Sequence, residues 1–116
     1  MEKTYNKLVR DKIPEIIKNN NENPITRILT EAEYKKELEK KLFEEYQEVL
    51  DSSGKDRVEE LADMLEIISY LAKLENVTLN DVIEIANYKK EKRGGFDKKI
   101  FLEKVTNINY KKLDKN

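Results

Sequence analysis

The chain has 116 residues, enough for one domain with a modest core, and its 23 Lys and Arg residues nearly balance 24 Asp and Glu. That balance argues against a general nucleic-acid binder, which needs a basic face, while leaving room for a local anion site. Cysteine and histidine are both absent, which excludes disulfides, thiolate or imidazole metal sites, and Ser-His-Asp or Cys-His nucleophilic systems. Any metal must therefore take oxygen ligands, as Mg²⁺, Mn²⁺ and Ca²⁺ do. No apolar run approaches a membrane span, and the opening "MEKTYNKLVRDK" lacks the apolar stretch of a signal peptide. A cytoplasmic location with no membrane partner is the expectation. With only 3 Gly and 2 Pro, the pattern points to an all-α domain over 1–116, a bundle of four to five helices.

Taken in chain order, "RDKIPEIIKNN" reads as a first helix, with Asp11 as its cap and Pro14 in the first turn, where a missing N–H costs little. "NNNENP" is a loop. Thr30 and Glu33 in "TEAE" form a capping box, and periodicity carries a long helix from about Glu31 to Leu50. "DSSGK" breaks it, and a third helix follows in "RVEELADMLEIISYLAKLE". "NVTLND" is the next break, with Thr78 as N-cap of a fourth helix. That helix starts near Leu79 and ends at "KRGGF", where Gly94 suits the C′ position. "IFLEKV" reads as an extended segment or a short helix, and the chain end after about residue 103 as frayed.

The second helix places Leu38, Leu42, Tyr46 and Val49 on one arc at about 100° per residue, with Glu45 at the edge and Glu48 and Glu44 fanning outward. On the third, Val58, Leu61, Met64, Leu65, Ile67, Ile68, Leu71 and Leu74 make a broad apolar arc. Glu60 falls inside it and Asp63 on its border, while Glu59 and Glu66 fall on the opposite, solvated face. Each helix thus carries an i, i+3 carboxylate pair, Glu45 with Glu48 and Glu60 with Asp63. A short link makes the two helices antiparallel neighbours, which would bring both pairs together. Converging carboxylates repel, and burying them unpaired is costly; a divalent cation resolves the conflict. The plainer alternative is solvated charge on a chain whose residues are 41% charged.

The fourth helix ends in "NYKKEKRGGF". Lys89 and Arg93 share a face, and Gly-Gly lets backbone N–H groups approach an anion. The same residues also serve as an ordinary dipole-matched C-terminus. Near the start, Lys7, Arg10 and Lys12 read either as solvated charge or as a second clamp on an anionic ligand. Tyr5, Tyr34 and Tyr88 could stack on a base, but core or interface is the expectation for most of them.

Together the acidic and basic elements resemble the MazG-like, all-α nucleoside triphosphate pyrophosphohydrolase superfamily, whose signature is E-E-x-x-E, then E-x-x-D, then N-x-K-x-x-x-R. Here these are "EEYQE" at Glu44, Glu45 and Glu48, "ELAD" at Glu60 and Asp63, and Asn87, Lys89 and Arg93. "KLVRDKIPEII" and "KRGGF" extend the likeness toward a small single-domain, phosphoribosyl-ATP pyrophosphohydrolase-like branch. The resemblance implies Mg²⁺-dependent hydrolysis between the α and β phosphates, giving a nucleoside monophosphate and pyrophosphate. Glu45, Glu48, Glu60 and Asp63 would ligate Mg²⁺ (or Mn²⁺), and Glu44 would join them in catalysis by orienting or deprotonating the attacking water. Lys89, Arg93 and Asn87 would bind phosphates, with Arg10 and Lys12 as a further substrate clamp. Removal of unwanted nucleotides is the leading role, and a phosphoribosyl-ATP reaction of histidine biosynthesis the alternative.

A different class of function is also open: a non-enzymatic helical interaction or nucleotide-binding module. The third helix is apolar over too wide a face for one neighbour, so self-association is expected in either class. The resemblance implies a homodimer or homotetramer.

Overall fold

The computed structural model describes residues 2–107. They form four α-helices with no strand among the described residues: α1 (Ile13–Asn19), α2 (Glu31–Leu50), α3 (Gly54–Leu74) and α4 (Leu79–Arg93). The chain divides into two units, one running to Ile83 and one starting at Glu84. "IFLEKV" forms no helix, so four helices stand where four to five were expected. The fraying expected at the chain end falls mostly on 108–116, outside the described residues.

Local chemistry explains most helix ends. Asp11 does not cap α1. It sits in a turn ahead of the helix, closed by the Ile13 N–H donating to the Arg10 carbonyl at 3.0 Å, and Lys12 is the N-cap with no side-chain hydrogen bond. Both α1 and α3 stop at an asparagine in the left-handed region, Asn21 at φ 63° and Asn76 at φ 62°. The next N–H reaches back in each case, Glu22 to the Ile17 carbonyl and Val77 to the Ala72 carbonyl, which satisfies carbonyls the helix leaves over. α4 opens on a capping box: the Thr78 N–H donates to Asp81 and the Asp81 N–H to Thr78 Oγ1. It closes at Gly94, φ 85°, whose N–H donates to the Lys90 carbonyl at 2.7 Å.

At the start of α2 the expected capping box is present in full. Glu33 does more there than cap. It accepts the Thr30 N–H at 3.0 Å and both arms of the Arg27 guanidinium at 3.2 Å. The Arg27 contact, followed by the bonds to Thr30, holds the Glu33 carboxyl down at about 2 against an ordinary 4.5. A depressed carboxyl stabilises the folded state above its unfolded pKa, and that contribution disappears as pH falls through the folded value. The α2 start should therefore keep its full support at pH 4.5 and above and lose it as pH falls through about 2. An NMR titration of the Glu33 carboxyl should show this low midpoint in the wild type, and a midpoint moved back toward 4.5 in Arg27→Ala; an unmoved midpoint would count against the pairing.

α2 and α3 pack on each other. The three-residue link 51–53 makes them an antiparallel hairpin. α3 begins three residues earlier than its apolar pattern suggests, because Gly54 takes φ 58°, a left-handed conformation that glycine adopts without strain. Leu38, Val49 and Ala72 are the buried apolar residues of the described chain, with Leu38 at 2% exposure. That is a thin core. Much of the apolar surface of α2 and α3 stays open, including Phe43, Tyr46 and Leu50 on α2 and Val58, Leu61 and Leu65 on α3, each 46–64% exposed. Among the described residues, no helix is long and apolar enough to cross a membrane.

Candidate functional site

The antiparallel hairpin brings three of the expected carboxylates together. Glu45 on α2 and Glu60 and Asp63 on α3 each offer an oxygen, and these oxygens lie within 4.8 Å of one another. All three side chains are half-buried. Burial raises the Glu45 pKa first; a hydrogen bond to Glu60 and repulsion by Asp63 and Glu60 raise it further. Three carboxylates this close repel one another, and partial burial adds to the cost of keeping all of them charged. A hard divalent cation fits this donor set, which contains oxygen atoms alone.

Glu48 does not join the cluster. It is exposed and absent from the group of converging carboxylates. Antiparallel geometry is the reason. From the Glu45–Glu60 level, three residues forward along α2 lead toward the link, and three residues forward along α3 lead away from it. Each step is about 4.5 Å along the axis, so Glu48 and Asp63 diverge. Glu44 is half-buried and also outside the group.

Arg10 shows what lies beyond the reach of sequence spacing. Its guanidinium donates to Asp63 Oδ1 at 3.0 Å and to Glu66 Oε2 at 3.3 Å. The expected anion clamp is thus engaged with carboxylates, and Glu66, expected on the solvated face of α3, accepts from it. The signal available in sequence was the charge of "KLVRDK" alone, which does not name a partner 53 or 56 residues away. Lys12 is exposed at the start of α1. Of the tyrosines, Tyr34 is half-buried. Tyr5 and Tyr88 are exposed, with lysine ammonium groups over their rings, Lys3 and Lys7 on Tyr5 and Lys92 on Tyr88.

At the far end of α4, Lys89 and Arg93 line one concavity with Lys90, Gly94 and Gly95. Their i, i+4 spacing puts them on that side, whereas Asn87 is not among the lining residues. Phe96, 99% exposed, and the carboxylate of Asp97 also border the concavity, so the feature is an open depression in which three cationic side chains outnumber one anionic one. Its chemistry suits an anion such as phosphate. Comparison with protein-family models, with curated proteins and with solved structures finds no match to this chain.

Proposed function

We propose that the chain is a Mg²⁺-dependent nucleoside triphosphate pyrophosphohydrolase of the MazG-like kind. The observation that carries this reading is the convergence of Glu45, Glu60 and Asp63 from two helices within 4.8 Å. The ordered acidic and basic motifs support it. In this reading Glu45, Glu60 and Asp63 hold the ion. When bound, the ion would neutralise phosphate charge and acidify a water. Glu44, half-buried and next to Glu45 in sequence, is the carboxylate that the resemblance gives for orienting the attacking water and taking its proton. Water adds at phosphorus, the bond between the α and β phosphates breaks, and monophosphate and pyrophosphate leave. Lys89, Arg93 and Asn87 are the residues that the resemblance assigns to phosphate oxygens, and the first two line a cationic depression of their own unit. Phosphoryl chemistry asks for alignment and charge neutralisation more than for a covalent nucleophile, so a chain without histidine or cysteine suffices.

The test is a phosphorus NMR or pyrophosphate-release assay over ribo- and deoxyribonucleoside triphosphates and phosphoribosyl-ATP, with and without Mg²⁺. Monophosphate plus pyrophosphate, formed only with metal, is the expected result. Turnover confined to phosphoribosyl-ATP would favour the biosynthetic alternative over nucleotide house-cleaning. Silence across the panel with a folded protein would favour a binding module. Thermal stability should separate the classes independently. A metal site raises Tm with Mg²⁺ concentration, by about 2.7 kcal/mol of added stability at a hundred times Kd, and an interaction module does not respond.

The same reading includes self-association as a homodimer or homotetramer. Its support is the thin core and the open apolar face of the hairpin. Phe43, Tyr46 and Leu50 recur at i, i+3 and i+7, as do Val58, Leu61 and Leu65. Stepping around each helix from the α2–α3 contact, these six fall to one side and the acidic cluster to the other. Two copies meeting through these faces would complete a four-helix core and leave the carboxylates accessible.

A further inference from the structure

We propose that Arg10 is a displaceable counter-cation of the acidic cluster: a divalent ion taken up by Glu45, Glu60 and Asp63 competes with its guanidinium, so metal uptake loosens the N-terminal segment from α3. This rests on the metal-site reading above. Asp63 carries the argument because it belongs to both arrangements. It is one of the three converging carboxylates, and its Oδ1 accepts from Arg10 at 3.0 Å. The second arm of the fork lies on Glu66, three residues further along the same face of α3. Without a metal, Arg10 is the positive charge that offsets this part of the cluster.

The tie is built to give way. The Arg10 and Asp63 side chains are 60% and 44% exposed. An ion pair this open to solvent contributes little and is easily broken. Among the described residues, the side-chain hydrogen bonds that join the stretch ahead of α1 to α3 are those of Arg10. Replacing the guanidinium at Asp63 therefore takes away the shorter of that stretch's two polar ties to α3 and leaves the one to Glu66 at 3.3 Å. Linkage makes the effect reciprocal: if metal weakens the Arg10 contact, Arg10 weakens metal binding by the same factor. A released guanidinium fork is also a suitable donor to phosphate oxygens.

The experiment titrates wild type and Arg10→Gln with Mn²⁺, read by calorimetry or electron paramagnetic resonance. It also follows amide exchange over residues 8–19 with and without Mn²⁺. Arg10→Gln should bind Mn²⁺ about two- to five-fold more tightly, the range an exposed ion pair spans. In wild type, exchange over 8–19 should accelerate on adding Mn²⁺. In Arg10→Gln it should be fast already and indifferent to the ion. Equal or weaker Mn²⁺ binding by a folded Arg10→Gln overturns the competition and leaves the metal reading intact. No saturable Mn²⁺ binding by wild type overturns the metal reading and this proposal with it. If the variant does not fold, the wild-type exchange decides, and unchanged or slower exchange with Mn²⁺ overturns the proposal.

Discussion

Glu60→Gln is expected to cut pyrophosphohydrolase turnover by at least about a hundred-fold, since even groups that only support a metal ligand are worth 10–100-fold. The helical circular dichroism should be retained, because Glu60 is half-buried and glutamine matches its shape and helix propensity. The Mg²⁺-dependent gain in Tm should shrink with the activity. The metal-free protein should move in the opposite direction. The pKa of Glu45 is raised by burial first, then by its bond to Glu60 and by Asp63. A carboxyl raised above its unfolded value destabilises the folded state as pH climbs from the unfolded value through the folded one, and the deficit persists at neutral pH. Removing the Glu60 charge relieves part of it. Loss of activity together with a higher metal-free Tm at pH 7 is the signature of a site that trades stability for function. Retained turnover would eliminate Glu60 from the chemistry.

Leu61→Glu is expected to convert an oligomer into a monomer. Leu61 is 48% exposed and central to the apolar face shared by α2 and α3. Glutamate is a good helix former, so the change tests assembly with little effect on α3 itself. In a symmetric interface the new charge appears twice and must be buried against apolar neighbours, a cost of several kcal/mol that a modest interface does not carry. Size exclusion with light scattering should show wild type at twice the chain mass or more and Leu61→Glu at one. The Tm of the variant should fall and lose its dependence on protein concentration. A wild type that elutes as a clean monomer would remove self-association from the reading.

Elements with strong local signals were legible from sequence. α2 runs over Glu31–Leu50 as periodicity suggested, because its capping box and apolar arc agree. α4 starts after Thr78 and stops at Gly94 for equally local reasons. Local signals failed where two local solutions competed. Asp11 offered a cap, but the turn closed at Arg10 placed it outside the helix, and Gly54 began α3 inside what read as a break.

The acidic site was legible only in part, for a geometric reason. A helical wheel states which way a side chain points around one axis, and that was enough to bring forward Glu45, Glu48, Glu60 and Asp63. It contains no information about direction along a neighbouring axis. The short link already implied antiparallel pairing but not which residues of α2 and α3 stand level, and in the structure Glu45 meets Glu60 and Asp63 while Glu48 does not. The Arg10 contacts lie wholly beyond sequence reading, since a charge advertises its sign but not which opposite charge the chain will bring to it. By itself the sequence determined the helices, the oxygen-only chemistry and the faces carrying carboxylates. Which carboxylates meet, and which cation meets them first, was decided by tertiary packing, because those distances depend on how α2, α3 and the N-terminal segment are placed in space.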